Sequence, residues 1–127
     1  MQLGYYYRHE ADQYNFIRIP KVMMTEDLFS TMSFQAKILY GLLLDRMGMA
    51  QKNNWIDEEN RAYVVYQIAE IMTDMNISKQ KAVKSLAELE DMGLVEKKQR
   101  GLGMPSLLYI KKFTVEQEVL EMELLEV

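Results

Sequence analysis

Lys79, Lys81 and Lys84 stand within one stretch, SKQKAVKS, that also holds Ser78, Gln80 and Ser85, and Lys97, Lys98 and Arg100 follow beyond Gly93. The chemistry open to these side chains is recognition rather than bond breaking. Ammonium and guanidinium groups attract phosphate, and the amide of Gln80 matches the N6 and N7 edge of adenine. Solvated charge on an ordinary helix has the same composition. The pattern therefore acquires meaning only if the fold gathers these cations on one surface.

The chain has 127 residues and a formal charge of −4, which argues against indiscriminate coating of nucleic acid. Residues 76–112 nevertheless hold eight cations against four acids, a local +4, so the remainder sums to −8. A basic field confined to one side of an acidic body suits a protein that approaches DNA in one orientation.

Two short helices joined by a tight turn are the elements that must position these groups. QIAEIMTDM, residues 67–75, places Ile68, Ile71, Met72 and Met75 on one helical face. Asn76 and Ile77 turn, and Ser78 caps the next helix, which makes a helix-turn-helix. In that second helix the spacing assigns Ala82, Val83, Leu86 and Leu89 to the core and turns Gln80, Lys81, Lys84 and Ser85 outward. Its lysines come first and Glu88, Glu90 and Asp91 later, the reverse of what the helix dipole favours, by a few tenths of a kcal/mol per charge. An anion at the helix start would account for that order, because it meets lysine charge and free backbone N–H groups together. Gly93 suits the left-handed stop of the helix. A strand over residues 94–100, a turn over 101–105 and a returning strand over 107–111 form a hairpin wing whose cations can reach the sugar-phosphate backbone or a minor groove. Lys and Arg on a hairpin edge also guard against aggregation.

Before this segment, residues 5–14 are aromatic and polar without period and read as an arm that includes His9, a histidine with no metal partner at ligand spacing. NFIRIP, residues 15–20, alternates as a short strand. Residues 25–29 suit one helical turn. Ser33 caps a helix running to about Met47, with Phe34, Ile38, Leu39, Leu42 and Leu43 as its apolar stripe. A polar loop through Trp55 and the acids Asp57, Glu58 and Glu59 leads to a β-prone run, Tyr63 to Tyr66. Trp55 either packs on the core or stacks on a base. Residues 114–127 carry five glutamates and no base, as an acidic helix or linker.

Other functions find little support. The chain has no cysteine, hence neither disulfide nor thiol chemistry, and its longest apolar run, residues 38–44, is seven residues and too short for a bilayer. No phosphate-cradling motif occurs. Consecutive acids in a loop are more often solvated than poised for acid–base work or metal ligation. The 11 methionines fall mostly on apolar faces and read as core filling. The expectation is a cytoplasmic DNA-binding protein without enzymatic activity, catalytic residue, metal or cofactor.

DRMGMAQKNNWIDEENRAYVVY, with Asp45, Arg46, Lys52, Asn53, Trp55, Asp57, Glu58 and Tyr63, resembles the signature of the amino-terminal domain of RepA-type plasmid replication initiators. SKQKAVKSLAELEDMGLVEKKQRGLGMPSLLYIKKF is similar to the winged segment of the same family, and FIRIPKVM and MSFQAKILYGLLLDR extend the likeness over residues 15–113. One departure is Asn54, where glycine is expected. The resemblance implies an α+β, mainly α fold: a winged helix-turn-helix with a two-stranded β-hairpin wing. Residues 1–14 would form an arm, 15–113 the DNA-binding domain, and 114–127 a connection towards a carboxy-terminal domain that recruits host replication proteins. It further implies a homodimer on repeated double-stranded sequences of a plasmid origin. Ser78, Lys79, Gln80, Lys81 and Lys84 would lie at the major groove, with Lys97, Lys98 and Arg100 on the wing, and Ser85, turned outward by the spacing, completes the expected DNA-binding set. A winged-helix transcriptional regulator and a protein-docking winged helix with an acidic partner share the pattern.

Overall fold

The computed structural model describes residues 1–8, 10 and 14–114. The expectations for His9 and for the acidic tail from residue 115 onward lie outside them. In chain order the elements are α1 (Val22–Thr25), a 3-10 turn (Asp27–Phe29), α2 (Phe34–Met47), α3 (Ile68–Met75), α4 (Lys79–Asp91), β1 (Val95–Lys98) and β2 (Leu107–Ile110). This is the α+β, mainly α winged helix-turn-helix expected from the sequence.

Local chemistry sets most of the boundaries. Ser33 caps α2 by accepting the N–H of Ala36, and Gln67 opens α3 through a capping box with Glu70. Asn76 ends α3 in the left-handed conformation, φ 53°. Ser78 caps α4 by accepting the N–H of Lys81 at 3.2 Å, and Gly93, φ 77°, follows its end. Asn54 holds φ 56°, a conformation in which asparagine substitutes for glycine at little cost.

The core lies where α2, α3 and α4 meet the hairpin. Leu39, Tyr40 and Leu43 from α2, Ile71 from α3, Leu89 from α4 and Leu108 from β2 are fully buried, each contributing about 1.5 to 3 kcal/mol of apolar burial. The α2 stripe is rotated from the expected one. Phe34 and Ile38 are exposed, while Ala36 and Tyr40 take the core positions. The Tyr40 hydroxyl donates to the Lys111 carbonyl at 2.6 Å, which lets a polar aromatic sit where the pattern asks for an aliphatic. Trp55 packs against this core rather than standing free.

Residues 15–20 form no strand. They cross α2 at Gly41, where an added Cβ would lie 2.9 Å from the Arg18 carbonyl oxygen and 3.1 Å from Ile19 Cγ1. The segment is seated on a helix, so its alternation has no sheet edge to serve. The sheet itself is antiparallel, with Val95 opposite Ile110 and Lys98 opposite Leu107. Val64 adds a bridge to the outer edge of β2 through reciprocal bonds with Leu108 at 2.8 and 2.9 Å.

Candidate nucleic-acid interface

The first two turns of α4 form the centre of the site. Ser78, Lys79, Gln80, Lys81 and Lys84 are exposed. Among the described residues none of the three lysines is paired with a carboxylate. The helix start leaves backbone N–H groups without intrahelical partners, of which Ser78 Oγ takes that of Lys81. Ammonium groups, N–H groups and the positive dipole end thus face the same solvent.

Ser85 does not belong to this surface. It is 3% exposed and its hydroxyl donates to the Lys81 carbonyl at 2.7 Å, so the serine satisfies itself within its own helix and is buried without loss. Its place outside is taken by Val83, 46% exposed, which the periodicity had put in the core. The inward stripe is Ala82, Ser85, Leu86 and Leu89, the i, i+3, i+4 and i+7 positions of one helical face, and Val83 falls beside it.

One of the late acids of α4, Glu88, has a partner of its own. Glu88 Oε2 accepts both the amide and the hydroxyl of Ser33 at 2.9 Å, placing a carboxylate at the positive end of α2. Part of the reversed charge order is therefore explained by packing between α2 and α4. The lysines at the start of α4 have no such internal explanation among the described residues.

On the wing, strand alternation separates Lys97 from Lys98. Lys97 shares its face with Leu108 and lines a cleft of about 250 Å³ with Gln67, Ile68, Leu86, Met104 and Pro105, between wing and helix-turn-helix. Lys98 shares the opposite face with Leu107 and lines a second cleft, about 360 Å³, beside Asp57, Glu58 and Glu59. Only Lys97 looks towards the α4 side. Arg100 is half-buried, its Nε donating to the Pro105 carbonyl at 2.9 Å, so it braces the base of the wing's turn.

The site rests on two polar clusters. Arg46 on α2 donates to the Val65 carbonyl at 2.9 Å and lies 3.6 Å from Glu70 and 4.0 Å from the Tyr66 ring centre, tying α2 to the start of α3. The Tyr66 hydroxyl donates to Asp74 at 2.6 Å, and burial, then this bond, holds its pKa well above the ordinary value. Asp57 closes the acidic loop by accepting from the amides of Glu59 and Arg61, from Arg61 Nε and from the Tyr109 hydroxyl. The Arg61 amide bond is the chief cause that lowers its pKa to about 2. Asp57 thus holds the loop against β2.

The family model of the replication initiator protein A (RepA) N-terminus matches residues 15–123. Three solved structures share the fold. One, described as the N-terminal domain of a DNA-binding protein, is 34% identical with a TM-score of 0.74, covering 98% of this chain and 96% of that one. A second, from a Rep–DNA complex, is 34% identical with a TM-score of 0.74 over 97% and 95%. A third, an MDR initiator, is 30% identical with a TM-score of 0.72 over 98% and 99%. A "41 kDa protein" of Lactobacillus helveticus is 27% identical over 99 residues, 76% of this chain but only 28% of that protein's length. The chain belongs to the RepA N-terminus family.

Proposed function

We propose that the chain is the sequence-reading domain of a plasmid replication initiator and binds repeated double-stranded DNA at the origin. The observation that carries this reading is the outward cation face of the first two turns of α4, unpaired among the described residues. Family membership and the fold shared with a chain from a Rep–DNA complex support it. In this reading Lys81 and Lys84 meet phosphate, with Ser78 and Lys79 beside them at the helix start. Gln80 reads adenine through its amide, and Val83 offers an apolar surface to a thymine methyl group. Lys97 contacts the backbone from the wing. The domain does no covalent chemistry and needs no cofactor. It acts in the cytoplasm as a homodimer, and host replication proteins are recruited through a further domain of the full initiator.

Selection of bound duplexes from a random pool tests this directly. Enrichment of one sequence that recurs in tandem at an origin is the expected result. A promoter palindrome would assign the fold to transcriptional control instead, and failure to enrich any sequence would remove the reading.

A further inference from the structure

We propose that the tip of the wing is an apolar wedge that enters the minor groove and opens a base step, with Leu102 at its apex and Met104 behind it. The inference rests on the DNA-binding reading above. Leu102 is fully exposed and Met104 54% exposed. Single exposed apolar side chains are ordinary on a protein surface, but here the backbone is built to hold one out. The Met104 amide donates to the Gly101 carbonyl at 3.2 Å, and Gly103 has φ 80°, as at the third position of a type II turn, which leaves Leu102 at the corner. The Arg100 bond to the Pro105 carbonyl at 2.9 Å closes the base of this turn.

Gly103 serves this turn, but Gly101 has no reason internal to the fold. Gly101 lacks the positive φ that calls for glycine, and a Cβ built on it would meet nothing within 4 Å. A groove about 6 Å wide does supply a reason for omitting side chains on both sides of the leucine. Charge fits the same arrangement. A hairpin inserted tip first turns each face towards one sugar-phosphate wall, and alternation puts Lys97 on one face and Lys98 on the other. Glu58 and Glu59, in the cleft behind Lys98, oppose phosphate and restrict contact to the distal half of the wing. The Lys97 cleft joins the wing to Gln67 and Leu86, so wing and α4 address one duplex. An apolar side chain between base steps unstacks them and bends the duplex.

The test uses the 127-residue chain and a duplex it selects, carrying 2-aminopurine at successive steps beside the major-groove contact. Wild-type protein should raise the fluorescence at one step. Leu102→Ser should abolish that rise and weaken binding about ten-fold, as loss of a buried leucine contact implies, while the salt slope stays unchanged because no phosphate contact is removed. Leu102→Phe, still an apolar wedge, should retain the rise. Tight binding by wild type without a fluorescence rise at any step, or with a rise that Leu102→Ser leaves intact, overturns the wedge and leaves the DNA-binding reading standing. Failure of wild type to bind any duplex overturns both.

Discussion

Glu88 lies 55 residues from Ser33 yet accepts both of its protons, so one carboxylate caps α2 from a neighbouring helix. Glu88→Ala should lower stability by about 1 to 2 kcal/mol, the scale of a lost N-cap with a charged acceptor. A urea midpoint measures the loss, and DNA affinity per folded molecule should not fall. Ser85 makes the complementary case. Among the described residues its hydroxyl serves only the Lys81 carbonyl, so Ser85→Ala should alter stability by less than about 1 kcal/mol and leave DNA affinity unchanged. A loss of affinity measured by anisotropy would return Ser85 to the contact surface.

Among the elements, α2 is the platform on which the rest is mounted, and Gly41 is where the preceding segment crosses it. Gly41→Ala drives a methyl group to 2.9 Å from the Arg18 carbonyl. It should cost about 1 to 3 kcal/mol by overpacking, visible as a lower melting temperature. The helix ends marked by Ser33, Ser78 and Gly93 were legible in the sequence because their causes are local: the serines cap within three residues, and Gly93 adopts its own left-handed conformation. The phases of the helices were less so. Tyr40 is buried through a bond to a carbonyl 71 residues away, and Ser85 enters the stripe of Ala82, Leu86 and Leu89 with its hydroxyl satisfied by the Lys81 carbonyl. The same limit applied to residues 15–20, whose alternation mimics a strand, although the partner they find is a helix. Within the candidate site, the cations of α4 could be read from spacing. The division of Lys97 and Lys98 between two faces follows from a register that only the folded hairpin defines.

For the whole molecule, the acidic loop and the hairpin are held together by Asp57, and this attachment depends on pH. The folded pKa of Asp57, about 2, lies below its ordinary value, so its contribution is present above about pH 4 and is lost as pH falls towards 2. Asp57→Asn should flatten that acid limb in denaturation curves recorded between those limits. At neutral pH the division between an acidic body and a basic reading face governs how the chain approaches a polyanion, and binding must weaken as salt rises. The most direct test of the interface is the salt dependence of duplex binding by wild type and by the double variant Lys81→Gln, Lys84→Gln. If both lysines meet phosphate, the log–log slope should fall by about 1.8, at 0.9 for each contact, with the fold intact by circular dichroism. An unchanged slope and affinity in the folded double variant would contradict placement of this face of α4 against DNA.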